Sequence, residues 1–544
     1  MNINLRTVLL LLCMPLILSG SYASAHTDVT ADQARELIDS TDNLLVVDVR
    51  EPAEYSGSGG HIPAALNYPW NSGVLLIRYE ELPADGPVLV VCASGSRSNL
   101  AAMFLDSMGF SMVYDMLGGM GAWIWETENG INADIKYDGG TGEPNDPYQI
   151  ATAEDLILLG ESPEDYDKHF ILTANIDLSG YAYDRAVIAP DIDDVNDGFQ
   201  GTSFTGDFDG NGQAILNLTI EGESYLGLFG QIGRDDGAVV SNLSLEAVTV
   251  VGIGEVVGGL AGSNEGRIAS SHIDGTVTGD GIVGGLVGIN LGMITASSSN
   301  ADVAGILTVG GLSGVNFANP YGGRIATSCS AGTVGGQRNI GGLVGANQGR
   351  VEDCFSTAAV SGDNSAGGLA GLNTAQVVPD STSPTGSIYR CYAAGPVVGN
   401  VFVGGLVGEQ GPGASVELSV WDIETSGQAT SAYGTGKTTA EMKTASTFLD
   451  AGWDFAGEKE NGAEDTWSIC EETNYPRLAW QIIPGDFVCP EGITIDDFSF
   501  LMEHWLNDNC DSSNDFCQGT DLDQSGIVDG YDLEIFFENF SPEE

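Results

Sequence analysis

Apolar and polar positions follow three different rhythms along the chain. Between about residues 27 and 128, continuous apolar runs alternate with helical patterns. The runs 44–49 and 87–91 have the length and Val/Leu content of strands buried on both faces. A helix is expected from Thr30, where Thr at the N-cap and Gln33 three residues on form a capping box, and it reaches about residue 38. A second helix at 98–108 carries Leu100, Met103, Phe104 and Met108, and a third strand follows at 112–114. Strands and helices in alternation specify an α/β domain, a parallel sheet with helices on both faces.

From about 138 to 482 the rhythm is a repeat. The pattern G-L-x-G or G-G-L-x-G centres on Leu228, Leu260, Leu286, Leu312, Leu343, Leu369 and Leu406, with a base step of 26 residues and longer steps of 31, 32 and 37. Within a repeat the glycine-rich core leads into an Asn-containing turn, such as Asn347-Gln348-Gly349, and alternating stretches such as 268–277 connect the turns. Alternation at this period describes a β-solenoid whose coils must stack, because one coil cannot bury its own apolar face. The segment 207–212 (Asp-Phe-Asp-Gly-Asn-Gly) reads as a tight turn between such strands rather than a calcium site. Residues 485–544 hold two short helical segments around an acidic loop. The expected domains are therefore 26–130, 131–484 and 485–544, since 544 residues exceed what one core supports.

The first residues form a leader. Arg6 precedes an apolar run at 8–18, and Ala23-Ser24-Ala25 supplies a small-x-small cleavage pattern, so a signal peptide at 1–25 is expected. Its apolar run is shorter than the roughly 20 residues of a spanning helix. No later segment is apolar enough to span, which implies an exported protein that is secreted, periplasmic or on the cell surface. The charge balance, 18 basic against 76 acidic residues for a net of −58, repels phosphate backbones and excludes nucleic acid as a partner. It suits a saline or calcium-rich medium.

Candidate chemistry begins with Cys92-Ala93-Ser94-Gly95-Ser96-Arg97-Ser98, placed where the strand 87–91 ends and a helix begins. A loop at that junction can turn its amides inward, and the helix N-terminus adds positive potential, so a thiolate is favoured. Gly95 lets the backbone curl, and Arg97 offers a planar fork to an anion. Nine cysteines are present and Cys13 lies in the leader. If Cys92 works as a thiol, seven others remain and at least one stays unpaired. A disulfide is expected among Cys489, Cys510 and Cys517, with the pair left open, and the lack of any C-x-x-C argues against zinc.

This loop, of the form C-x-x-G-x-R-S, resembles that of a single-domain rhodanese. The likeness covers about residues 27–126 and extends to Asp48-Val49-Arg50-Glu51, to Gly60-His61-Ile62-Pro63-Ala64-Ala65-Leu66-Asn67, and to Leu117-Gly118-Gly119 with Trp123. The resemblance implies a sulfurtransferase that needs no cofactor for the transfer. Cys92 takes the outer sulfur of thiosulfate or a similar donor, and the persulfide then gives it to cyanide or a thiol. It makes Cys92 and Arg97 catalytic, with Ala93, Ser94, Gly95, Ser96 and Ser98 lining the donor and persulfide site. Asp48, Arg50 and His61 are expected to be structural. Two departures from the family pattern are Ala64, where glycine is usual, and a small insertion at 56–60.

The acidic loop Asp521-Leu522-Asp523-Gln524-Ser525-Gly526-Ile527-Val528-Asp529-Gly530-Tyr531-Asp532 has oxygen ligands at calcium-loop positions. Asp521, Asp523, Ser525, Asp529 and Asp532 would bind Ca2+ through side chains and Ile527 through its carbonyl. With Asp at the twelfth position the loop resembles a type I dockerin, which implies a cohesin-like or cell-surface protein partner for the tail. An upstream copy at 486–497 has Val488 and Pro490 at ligand positions and reads as degenerate. The repeats resemble GLUG-motif repeats of secreted bacterial proteins. The alternative to an exported sulfurtransferase is a surface display, adhesion or polysaccharide-associated protein whose rhodanese domain is accessory or inactive.

Overall fold

In the computed structural model the described residues are 26–41, 44–55, 59–71, 74–79, 82–84, 86–127, 136–193, 198–234, 237–318, 322–375, 386–456, 461–462, 465–489, 492–510 and 515–540. The expected leader at 1–25 lies outside them, as do 56–58 of the expected insertion and Pro490. The chain divides into two compact units with the boundary between Lys136 and Tyr137.

The first unit runs β1 (Thr27–Val29), α1 (Ala31–Ser40), β2 (Leu45–Asp48), α2 (Pro52–Tyr55), β3 (Leu66–Asn67), α3 (Val74–Arg78), β4 (Pro87–Val91), α4 (Ser96–Ser107) and β5 (Met112–Met116). The strands form one parallel sheet in the order β1-β5-β4-β2-β3. Its central strand explains the unbroken apolar run. Val88 and Val90 pack on one face with Leu75, Ala101 and Leu105, while Leu89 and Val91 pack on the other with Ala34, Ile62 and Met116. The Thr30 capping box starts α1 as expected, with Gln33 N donating to Thr30 Oγ1 at 3.3 Å and Thr30 N to Gln33 Oε1 at 2.9 Å. β1 and β3 carry no hydrophobic run; they are short, partly polar edge strands whose pairing comes from the sheet.

In the second unit, each repeat contributes strands to three sets of parallel strands. One sheet has ten strands, from Tyr148–Ile150 to Ser415–Glu417, and another has seven, from Phe229–Ile232 to Val407–Gln410. Equivalent residues of successive repeats are partners, so Ala261 pairs with Val287, Val287 with Ser313 and Ser313 with Val344. The repeat leucines Leu228, Leu260, Leu286, Leu312, Leu343, Leu369 and Leu406 are all 0% exposed. The glycines of the motif mark close backbone approaches. A Cβ on Gly284 would lie 1.9 Å from the Val287 carbonyl oxygen, and the same collision recurs at Gly310 and Gly341.

The Asn that follows five of the seven cores is not in an exposed turn. Asn264, Asn290, Asn316, Asn347 and Asn373 end strands and are fully buried. Their side chains form a ladder, Asn264 Nδ2 to Asn290 Oδ1 at 2.8 Å, Asn290 to Asn316 at 2.8 Å, Asn316 to Asn347 at 2.9 Å and Asn347 to Asn373 at 2.9 Å. Of the 207–212 segment, Asp207–Asp209 is a strand and the turn follows it, with Asp209 Oδ1 accepting from Asn211 N at 2.8 Å.

After Val420–Asp422 and its neighbour Thr435–Lys437 the repeat gives way to an aromatic-rich segment. Trp453, Trp467, Phe448 and Met442 pack with Phe355, Tyr392 and Val420 in one core. Trp480 Nε1 donates to the Thr327 carbonyl at 2.7 Å. Helices Ile495–Glu503 and Gly530–Asn539 follow, packed through Leu501, Val528 and Phe536. Disulfides join Cys470 to Cys489 and Cys510 to Cys517, while Cys92, Cys329, Cys354 and Cys391 are free and buried. Among the described residues, no helix is long and apolar enough to cross a membrane.

Candidate functional site

Cys92 follows β4, the middle strand of five, at its carboxyl end, where parallel sheets hold ligands. The chain then enters α4 earlier than the hydrophobic pattern suggests, at Ser96 rather than Ser98. Gly95 makes this possible: it is the N-cap at φ 94°, a left-handed conformation open to glycine. Arg97 and Ser98 therefore sit in the first helical turn, and the turn's amides face the sulfur. Gly95 N donates to Cys92 Sγ at 3.1 Å.

A second glycine turn supports this loop from behind. A Cβ on Gly119 would lie 2.2 Å from the Cys92 carbonyl oxygen and 2.6 Å from Ser94 N. Met120 N donates to the Cys92 carbonyl at 2.7 Å and Gly121 N to the Ala93 carbonyl at 3.0 Å. The Leu117-Gly118-Gly119 motif thus fixes the loop that carries the cysteine.

Burial pushes the Cys92 thiol up, but the Ser98 hydroxyl and the amides of Ser98, Ser94 and Gly95 outweigh it and hold the thiol below its ordinary value. Cys92 itself is 0% exposed; Ser94 and Ser96 form an exposed rim. Arg97 is engaged by an acid that sequence reasoning did not single out. Its Nη1 donates to Glu54 Oε2 at 2.6 Å and its Nη2 to Glu54 Oε1 at 2.8 Å. This pairing holds Glu54 below the usual carboxylate range. The signal available in the sequence was only an acid two residues before the insertion.

Asp48, Arg50 and His61 frame the neighbouring loop. Arg50 is buried, donates to both oxygens of Asp48 and reaches the Gly60 carbonyl at 2.9 Å. His61 stacks on Tyr55 with ring centroids 3.7 Å apart. Ala64 takes φ 62°, the left-handed conformation that explains why glycine suits this position.

In the second unit the acidic loop gathers Asp521, Asp523 and Asp532, whose carboxylate oxygens lie within 4.8 Å of one another. Amides of Ser525 and Gly526 donate to Asp521 at 3.0 Å and 2.9 Å. Burial and the neighbouring Asp523 and Asp532 push the Asp521 carboxyl up, as expected where anions converge. Ser525 Oγ contacts the Ile527 carbonyl at 3.3 Å, and Gly526 turns the chain at φ 96°. Asp529 stands apart from the three carboxylates as the N-cap of Gly530–Asn539, accepting from Tyr531 N at 2.9 Å. In the upstream copy, Asp497 Oδ1 accepts from Phe487 N and Val488 N, each at 2.7 Å, and Arg477 lies 3.9 Å from Asp486.

Comparison with known proteins follows this division. The family model of the rhodanese-like domain matches residues 30–125, and that of the GLUG motif matches residues 336–361. A sulfurtransferase of Allochromatium vinosum is 34% identical over 96 residues, 18% of this chain and 86% of that one. The thiosulfate sulfurtransferase GlpE of Pseudomonas entomophila is 38% identical over 95 residues, 18% of this chain and 82% of that one. Halomucin of Haloquadratum walsbyi is 32% identical over 163 residues, 28% of this chain, and the chain spans 2% of halomucin's length.

Proposed function

The chain belongs to the rhodanese-like family through residues 30–125, and on that premise we propose that it is an exported sulfurtransferase working through a Cys92 persulfide. The observation that carries this reading is the Cys92 sulfur, at the end of the central strand, set among inward amides that favour its thiolate. The thiolate attacks the outer sulfur of thiosulfate; the sulfur–sulfur bond to sulfite breaks, and its electron pair leaves on sulfite. Cyanide or a thiol then attacks the outer sulfur of the persulfide and the Cys92 thiolate is restored. Ser94, Gly95 and Ser98 amides hold the anionic sulfur. Arg97 orients the donor once it leaves Glu54. Because the thiolate is the nucleophile and its pKa is lowered, kcat/KM rises with pH through a midpoint below that of a free thiol, about 8.5.

The repeats form a β-solenoid that carries this domain, and the Asp521, Asp523 and Asp532 cluster binds Ca2+ with help from Ser525 and the Ile527 carbonyl. Ca2+ would supply the positive charge that three converging carboxylates lack. The leader places the protein outside the cytosol, in the periplasm, at the cell surface or in the medium, and the dockerin-like tail docks to a cohesin-like or cell-surface protein. A second reading, surface display or adhesion with an inert rhodanese domain, is favoured by the repeat region making up most of the chain.

The test is thiosulfate-dependent thiocyanate formation by freshly reduced protein beside Cys92→Ser. Turnover abolished by the substitution supports the sulfurtransferase. Turnover retained in Cys92→Ser sinks the Cys92 assignment, and none in either protein, with Cys92 shown reduced, favours surface display.

A further inference from the structure

The first domain begins on its weakest strand. β1 has three residues, lies at the edge of the sheet and buries only Val29. An edge strand this short at the start of a folded segment frays unless both ends are tied down. One end is tied through the backbone, where Leu117 N donates to the Val29 carbonyl at 2.8 Å. The other is tied by a side chain of α4. His26 N donates to Asp106 Oδ2 at 3.0 Å, and His26 Nδ1 lies 2.6 Å from the same oxygen.

Asp106 is poorly placed for a carboxylate with these partners alone. It stands in the last turn of α4, which holds no basic residue, so the carbonyls at the helix end oppose its charge. Its side chain is 12% exposed, and its second oxygen, Oδ1, is buried with no hydrogen-bond partner among the described residues. A buried carboxylate oxygen left unpaired is costly. The neighbouring groups do not relieve it. Asp28 Oδ1 and Asn99 Nδ2 lie 3.7 Å and 3.5 Å from His26 Nε2, the other ring nitrogen, and neither brings a donor to Oδ1.

His26 is also the residue that the expected leader cleavage makes first. Hydrolysis of the Ala25–His26 bond by a leader peptidase leaves a carboxylate on Ala25 and an amine on His26, which takes up a proton at neutral pH. An amide with one N–H thereby becomes an ammonium with three, at a nitrogen already 3.0 Å from Asp106 Oδ2. We propose that Asp106 is a receptor for this new amino terminus, and that leader removal locks β1 onto the domain. The ammonium keeps the bond to Oδ2, gives a second N–H to Oδ1 and offsets the negative charge at the helix end. While the leader remains, the nitrogen is a neutral amide and Oδ1 stays unpaired. A chain that still carries its leader therefore holds β1 more loosely.

The inference rests on the leader reading and is independent of sulfur transfer. Its test is amide hydrogen exchange of the segment 26–37, read by mass in the whole chain. A protein starting at His26, released from a fusion partner, is compared with one that keeps Ala23-Ser24-Ala25 ahead of it. The His26-start protein should exchange this segment ~3–10-fold more slowly, the size expected of one added charge contact at a strand end. Asp106→Asn should remove that advantage, and restoring Ala23-Ser24-Ala25 to the variant should change nothing further. Should Asp106→Asn not fold, acetylation of the His26 amine is expected to cause the same loss, because it restores a neutral amide. Equal exchange in the His26-start and extended proteins overturns the lock, and so does an advantage that survives Asp106→Asn. Intact mass of the exported protein separates the two readings. A start other than His26 would overturn the leader boundary and the lock together, whereas a His26 start with equal exchange would overturn the lock alone.

Discussion

Arg97 illustrates what a single residue can and cannot reveal. Its place in C-x-x-G-x-R-S marks it as an anion-binding group, yet its fork is filled by Glu54. A donor anion must compete with that carboxylate, and bidentate pairing of this kind is the stronger sort of charge-assisted bond. Glu54→Gln is therefore expected to lower KM for thiosulfate ~3–10-fold with little change in kcat, since about 1 kcal/mol is typical for one exposed pair. A raised KM in steady-state assays would instead mean that Glu54 holds Arg97 ready for the donor. Because Glu54 titrates below the usual carboxylate range, the wild-type pair persists at neutral pH and opens only as pH falls through that lowered value. The KM difference between the two proteins should close under those acidic conditions. Nothing in the local sequence pairs Glu54 with a residue 43 positions on; the sheet does, by setting α2 beside the start of α4.

At the scale of elements, the repeat was legible and one of its residues was not. Leucine at every core and glycine where a Cβ would strike a carbonyl are requirements that each repeat meets alone, so they show as a period in the sequence. Asn347-Gln348-Gly349 also fits a turn, and only the neighbouring repeats turn Asn347 into a rung of a buried ladder. Asn316→Ala would remove two rungs, the bond from Asn290 Nδ2 to Asn316 Oδ1 and that from Asn316 Nδ2 to Asn347 Oδ1, while Asn290 Nδ2 keeps the Gly292 carbonyl and Asn347 Oδ1 keeps Gly349 N. A hydrogen bond contributes about 0.5–1.5 kcal/mol net, so losing both rungs should lower the denaturation midpoint. Thr295→Ala, on the partly exposed third residue of Met293–Thr295, should change it little. Equal effects from the two substitutions would show that the ladder adds nothing.

Across the whole molecule, candidate site and bulk are divided: the Cys92 thiol lies in the first unit, and most of the chain is repeat and tail. Ca2+ bound at Asp521, Asp523 and Asp532 should stabilise the tail by about 3 kcal/mol when the ion is at ~100 times its dissociation constant. Chelation with EDTA is then expected to lower the melting transition of the tail and leave thiocyanate formation unchanged. A transition indifferent to chelator, followed by calorimetry, would remove calcium from the account. The tail's first loop also shows the limit of pattern reading. Val488 marks it as unable to ligate, but its replacement supports, the Cys470–Cys489 disulfide and Arg477 beside Asp486, come from residues earlier in the chain. By itself the sequence determined the α/β order of the first domain, the cysteine loop at a strand end, the 26-residue repeat and the spacing of the acidic loop, because each is written in residues close together. The tertiary structure alone decided the Glu54–Arg97 pair, the early start of α4 at Ser96 and the Asn ladder. Those depend on groups far apart in the chain, brought together when the sheet and the stacked repeats close and water is excluded.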